Sequence, residues 1–239
     1  AQRYVSQHER EPYQNAKLVR DVAYGSRPRN LLDIATPLKA SATLRPILIF
    51  VPGGPGNRIE VKGYPFYDNV LLWAVTQGYI AINMNRDSDP DTTWDTGAKN
   101  IASVIQWAQN NAKDYGGDAS RIFVWGHSLG ATALATYISH PELYTPNAPD
   151  PATLLAQSSL PGLQKTTLPL LLAAADGDPL DRPEYISLLN EALCKTGRCP
   201  TTLIVKGHDH FSEIFSINTS DQSVSKPVLD WLNGVLKHK

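Results

Sequence analysis

A serine stands between two glycines in the segment WGHSLGA (125–131). The apolar run RIFVW leads into this segment, and the helix-forming run ATALATYIS follows it. This order predicts a sharp strand-to-helix turn that exposes the hydroxyl of Ser128, with Gly126 and Gly130 leaving room for close backbone approach. A serine hydroxyl is a weak nucleophile until a base takes its proton, so Ser128 needs a histidine and a group that orients it.

Acids and histidines follow two later apolar runs. Asp176 and Asp178 come after LPLLLAA (168–174), and His208 and His210 come after TTLIVK (201–206). Open α/β sheets place their ligands at the carboxyl ends of the strands, where we expect these side chains to lie. Either acid and either histidine could complete the site with Ser128.

The elements that must position these residues alternate between strand and helix. Strands are predicted at residues 18–24, 31–35, 46–51, 79–84, 121–125, 152–157, 168–174 and 201–206. Helices are predicted at about 67–77, 97–114, 129–139, 183–195 and 222–237. The alternation predicts an α/β fold in one domain over residues 1–239, with a mostly parallel eight-stranded sheet and helices on both faces. The short turn GSRPRN predicts that the first two strands are antiparallel.

The connection SSLPGLQKTT (158–167) is too short to hold a helical lid. We therefore predict a fold without a cap domain and a site that is open to solvent. In an open site, a long apolar chain has little apolar surface to be buried against. We therefore expect short-chain or small aromatic substrates.

Composition excludes several classes of partner. The net charge is −1, with Lys and Arg scattered along the chain, so we expect neither nucleic acid nor an anionic membrane as a ligand. The longest apolar run is about eight residues, against roughly 18 for a membrane span. A small molecule is the expected partner.

The two cysteines, Cys194 and Cys199, enclose the turn-forming stretch KTGR. This spacing favours a disulfide and an oxidising compartment, with two free thiols as the alternative. The chain begins Ala1-Gln2-Arg3 with neither Met nor an apolar leader, as a mature exported chain does. We expect a secreted or periplasmic protein.

Five stretches carry a resemblance to a known family: DVAYGSRPRNLLDIATP, FVPGGPG, NNAKDYGGDASRIFVWGHSLGATA, DGDPLDRPE and DHFSEI. The chain resembles α/β-hydrolase-fold serine esterases, in the group of the kynurenine formamidases and the bacterial feruloyl-esterase-like proteins. The order Ser, Asp, His along the chain is the one expected of that fold. The resemblance implies that Ser128 is the nucleophile, Asp178 the acid and His210 the base, with Asp176 and His208 as rival choices.

The charge that develops on the substrate carbonyl oxygen requires backbone N–H groups already in place. One donor is expected at Leu129, directly after the nucleophile. The resemblance points to Gly53 and Gly54 for the others. The chain departs from the family's usual His-Gly-Gly by having Pro52 in the His position, which leaves these backbone donors intact.

The expected activity is hydrolysis of a carboxylic ester through an acyl-enzyme, with no metal or organic cofactor. An amidase such as an arylformamidase is the alternative among enzymes, because it would use the same residues. A non-catalytic binding protein on the same fold is the alternative from another class. A metal cluster of His208, Asp209 and His210 with Asp176 and Asp178 is a further alternative, since imidazoles and carboxylates are zinc ligands.

Overall fold

The computed structural model describes residues 2–58, 67–140, 157–179 and 182–237 of the chain. The chain divides into two compact units. The larger unit is Glu9–Ser159, and the smaller unit combines Ala1–His8 with Leu160–Lys239. The single domain over residues 1–239 stays a prediction.

Seven strands lie in the described part of the chain. They are β1 (Ala16–Ala23), β2 (Leu31–Pro37), β3 (Arg45–Val51), β4 (Ile80–Met84), β5 (Gly117–Gly126), β6 (Leu171–Ala175) and β7 (Thr201–Val205). The first five form one sheet in the larger unit, in the order β1-β2-β4-β3-β5. There β3 is parallel to β4 and β5, whereas β2 is antiparallel to β1 and β4. The predicted antiparallel pairing of the first two strands is confirmed.

Helices follow most of the strands. They are α1 (Gln2–Val5), α2 (Asp68–Thr76), α3 (Thr96–Asn111), α4 (Leu129–Ser139), α5 (Leu160–Leu163), α6 (Arg182–Cys194), α7 (Ser212–Phe215) and α8 (Ser225–Lys237). A 3₁₀ helix, Ala112–Tyr115, continues α3. No helix in these described ranges is long and apolar enough to cross a membrane.

Helices cover both faces of the five-stranded sheet, as predicted. Side chains alternate between the two faces along each strand. One face carries a buried cluster that combines β2, β3 and β4 with α3 and α4 and includes Leu32, Ile34, Ile47, Ile49, Val51, Ile80, Ile82, Met84, Ile101, Val104, Ala108 and Ala133. On the other face the ring of Phe50 lies 5.0 Å from that of Tyr67, and Trp73 of α2 lies 6.0 Å from Trp125. Burial on both faces explains the nearly continuous apolar runs of β3 and β4.

The smaller unit is built around β6 and β7, which are parallel. Helix α6 connects them, and a disulfide between Cys194 and Cys199 links the end of α6 to the start of β7, as predicted. The strand predicted at 152–157 lies outside the described residues except for Gln157. The described strands form sheets of five and two, and because the strand predicted between them lies outside the described residues, the single eight-stranded sheet stays a prediction. The connection 158–167 holds one helical turn, α5.

Candidate active site

Ser128 lies in a strained turn between β5 and α4. Its φ of 54° and ψ of −124° are rare for a residue that is not glycine. A Cβ atom added at Gly126 would lie 2.6 Å from the carbonyl oxygen of Gly130, and one added at Gly130 would collide with the carbonyl oxygen of Val51. Both flanking glycines are therefore required by backbone packing, which is the reason that the sequence pattern suggests.

The loop after β3 packs against this turn. A Cβ atom added at Gly53 would lie 2.8 Å from Ser128 Cβ and 3.1 Å from the carbonyl oxygen of His127. The N–H of Gly56 donates to the carbonyl of Gly53 (2.9 Å), and Gly54 has a φ of 50°. Only glycine at position 53 lets the two loops approach this closely.

Three backbone N–H groups near this contact have no hydrogen-bond acceptor among the described residues. They belong to Gly53, Gly54 and Leu129. Gly53 is buried, and buried backbone donors almost always have a partner in a folded protein. Unpartnered donors beside the serine that the sequence predicts as the nucleophile are what an oxyanion hole requires.

Arg86 lies against the same loop and was missed by the sequence analysis. Its Nε and Nη2 donate to the carbonyl of Pro52 (3.2 and 3.1 Å), and Nη2 also donates to the carbonyl of Gly54 (3.0 Å). The side chain is buried, and burial lowers the pKa of its guanidinium. No carboxylate within the described ranges pairs with it. The signal in the sequence was a charged residue two positions after β4, at the carboxyl edge of the sheet.

In the smaller unit, Asp178 and His210 form a hydrogen-bonded pair. Asp178 Oδ2 lies 2.7 Å from His210 Nδ1, and the Asp178 side chain is only 3% exposed. A carboxylate oxygen accepts hydrogen bonds, so the Nδ1–H of His210 donates and Nε2 is the nitrogen that can accept a proton. This pairing brings together the acid and the histidine that the resemblance implies.

The rival residues have other partners. Asp176 Oδ1 accepts the N–H of Gly207 (2.8 Å) and so braces the loop after β7. His208 is buried, and its Nε2 lies 2.8 Å from Ser223 Oγ. Its ring also stacks on that of Tyr4 at 6.2 Å. Both rivals thus stabilise the smaller unit.

Asp209 fixes the backbone on either side of His210. Its carboxylate accepts the N–H groups of Phe211 (3.0 Å) and Ser212 (2.7 Å), and its own N–H donates to Ser212 Oγ (2.8 Å). These reciprocal hydrogen bonds resemble a capping box and fix the turn that leads into α7. The hydrogen bond from the Ser212 N–H is the main reason that the pKa of Asp209 is lowered.

The side chains of the alternative metal site form hydrogen bonds with different partners. Asp176 and Asp209 accept backbone N–H groups, His208 bonds to Ser223, and Asp178 bonds to His210. These side chains therefore do not converge on one ligand sphere.

Glu213, in α7, is the second residue that the sequence analysis missed. Burial, followed by the negative charges of Asp178 and Asp209, raises the pKa of Glu213 to about 7. Its signal was its place in DHFSEI, three positions after the predicted histidine.

The predicted site residues thus fall into two groups. Ser128, Gly53, Gly54 and Leu129 belong to the larger unit, where the two loops bring them together. The second group, the Asp178–His210 pair, belongs to the smaller unit. Each group has a defined geometry within its own unit.

Among known protein families, residues 32–142 match the family model BD-FAE. Esterase LipQ of Mycobacterium tuberculosis is 36% identical over 115 residues, covering 46% of this chain and 26% of LipQ. The chain spans about a quarter to a third of the length of the curated relatives that it matches.

Solved structures resemble the chain over nearly its whole length. A truncated carbohydrate esterase from gut microbiota has a TM-score of 0.71 at 17% identity and covers 92% of this chain and 96% of its own. Thermogutta terrifontis esterase 2, phosphorylated by paraoxon, has a TM-score of 0.71 at 17% identity and covers 96% of both chains. The chain therefore has the α/β-hydrolase fold, and residues 32–142 carry its similarity to the BD-FAE family and to esterases.

Proposed function

We propose that this protein is a serine carboxylesterase that cleaves short-chain or small aromatic esters. The observation that carries the proposal is the packing of Gly53 against Ser128 beside three unpartnered N–H groups. The Asp178–His210 pair supports it, because a serine nucleophile needs an oriented imidazole. The similarity to esterases supports the reaction type.

In the first step, Ser128 Oγ attacks the carbonyl carbon of the ester while His210 Nε2 takes the hydroxyl proton. The negative charge on the carbonyl oxygen is held by the N–H groups of Gly53, Gly54 and Leu129. His210 then gives the proton to the departing alcohol, and the acyl group remains on Ser128. Water is activated in the same way and releases the carboxylic acid. Asp178 holds the imidazole in its tautomer and stabilises its charged form.

The preference for small substrates follows from what surrounds each half of the proposed site. Leu129, next to Ser128, is 55% exposed, and Phe211, next to His210, is 52% exposed. The connection 158–167 adds one helical turn. Each buried methylene contributes about 0.8 kcal/mol only where there is an apolar wall, so efficiency should decline beyond about six to eight acyl carbons.

We also propose that the protein works in an oxidising compartment outside the cytosol. The disulfide between Cys194 and Cys199 supports this location, since such bonds persist where thiols are not kept reduced.

Ser128→Ala is expected to remain folded and to lower kcat by at least about 10³-fold, because the nucleophile is lost while the donors remain. The measurement is hydrolysis of p-nitrophenyl esters of graded chain length, together with aryl esters and formanilide. Ser103→Ala is the matched control, since Ser103 Oγ bonds only to a carbonyl within α3. Full activity in Ser128→Ala would refute the mechanism, and faster hydrolysis of formanilide than of any ester would make the protein an amidase.

Substitutions at the paired acids and histidines should separate catalysis from stability. Asp178→Asn should lower kcat by about 10⁴-fold, because the imidazole loses its orientation, and Asp176→Asn should lower it far less. His210→Ala should abolish turnover, whereas His208→Ala should mainly lower the melting temperature, because a buried hydrogen bond is lost. Steady-state kinetics and thermal unfolding of the four variants test this. A larger loss of kcat from Asp176→Asn or His208→Ala would move that role to the neighbour.

Glu213 should make the stability of the protein depend on pH. The folded state keeps the Glu213 proton up to about pH 7, whereas the unfolded chain releases it near the ordinary value of 4.5. This contribution is therefore complete below about pH 4.5 and lost as the pH rises to about 7, by at most about 1.4 kcal/mol per pH unit. Glu213→Gln should remove it. Urea unfolding of both proteins from pH 4 to 8 measures the difference, and a constant difference across this range would contradict the assignment.

A further inference from the structure

The guanidinium of Arg86 binds the two carbonyls on either side of Gly53. Pro52 O and Gly54 O accept from it at 3.0 to 3.2 Å. The carbonyl between them, that of Gly53, is taken by the N–H of Gly56 at 2.9 Å. All three carbonyl oxygens of residues 52–54 therefore have fixed partners.

Fixed carbonyls determine where the neighbouring N–H groups point. In a trans peptide the C=O and the following N–H point in opposite directions, and the peptides joining residues 52–54 are trans. Because Arg86 holds the carbonyl of Pro52, the N–H of Gly53 points away from the guanidinium. The bond from Gly56 likewise sets the direction of the Gly54 N–H. These are two of the three donors without an acceptor among the described residues.

Arg86 is itself held in place through its backbone. Its N–H donates to the carbonyl of Gly56 (2.8 Å), and its carbonyl accepts from Arg29 Nη2 (3.1 Å). A buried cation normally pairs with a carboxylate, whereas the partners found for this one in the described ranges are main-chain carbonyls.

We propose that Arg86 is the positioning residue of the oxyanion hole. By holding the carbonyl of Pro52, it turns the N–H group of Gly53 toward the oxygen that becomes charged when Ser128 attacks, and by holding the carbonyl of Gly54 it fixes the far side of the Gly54 residue. It also polarises the Pro52–Gly53 peptide, which makes the Gly53 N–H a stronger donor. This assignment rests on the proposed esterase function. It identifies Arg86 as the residue that positions the donor loop after β3 before the substrate binds.

The kinetic test replaces Arg86 in two ways. Arg86→Met keeps an apolar stem and removes all five donors, whereas Arg86→Lys keeps the charge and loses the planar fork. With p-nitrophenyl acetate, Arg86→Met should lower kcat and kcat/KM together by about 10- to 100-fold, with KM changed by less than about threefold. Arg86→Lys should lie between this variant and the wild type. An increase in KM with unchanged kcat would overturn the assignment.

Arg121→Met is the matched control. Arg121 also donates to a main-chain carbonyl of the larger unit, that of Leu44 just before β3, but not to those of Pro52 or Gly54. It should lose some stability and keep kcat within about threefold of the wild type. Equal losses of kcat in Arg121→Met and Arg86→Met would mean that Arg86 only stabilises the larger unit.

A second measurement does not depend on activity. In ¹H–¹⁵N spectra of the unreacted protein, Arg86→Met or Arg86→Lys should shift the amide signals of Gly53 and Gly54 and leave that of Leu129 in place, whereas Arg121→Met should leave all three. Unchanged Gly53 and Gly54 signals in both Arg86 variants would overturn the inference. If the wild type hydrolyses no ester, the proposed function fails, and these spectra still decide whether Arg86 orients the loop.

Discussion

The close approach of two backbone loops is the constraint on which the proposed site depends. The loops follow β3 and β5, which are parallel neighbours with Val51 opposite Gly126, so both loops leave the same edge of the sheet. At that edge there is no space for a side chain at either glycine. A Cβ atom at Gly53 would collide with Ser128, and one at Gly130 would collide with main-chain atoms. The parallel pairing thus brings Ser128 and the unpartnered N–H groups of the loop after β3 together.

Maintaining this arrangement has costs that the rest of the larger unit must offset. Ser128 holds a positive φ, a strain of order 1–3 kcal/mol, and Arg86 is a buried cation bound to carbonyls. The apolar clusters on both faces of the sheet are the available source of that stability. In the smaller unit, His210 is also held from two sides. Hydrogen bonds to Asp209 fix the backbone around His210, and Asp178 fixes its ring.

The turn and the helix around Ser128 could be predicted from the sequence, because local sequence patterns determine them. The helix 129–139 matches α4 at both ends, and the glycines around Ser128 have the role that the pattern suggested. Strand β5 begins at residue 117, earlier than the predicted 121, because Gly117 pairs with Arg45 across an irregular register. Arg86 and Glu213 were missed since their properties come from burial and from contacts with carbonyl or carboxylate groups, which the strand and helix patterns do not reveal.

The central proposal is that His210 activates Ser128 for attack on the ester. The most direct measurement is the rate at which paraoxon phosphorylates the wild type and His210→Ala, followed by intact mass and peptide mapping. The account predicts a single adduct on Ser128 that forms at least about 100-fold more slowly without His210, since the base must take the hydroxyl proton. Equal rates in the two proteins, or an adduct on another residue, would contradict it.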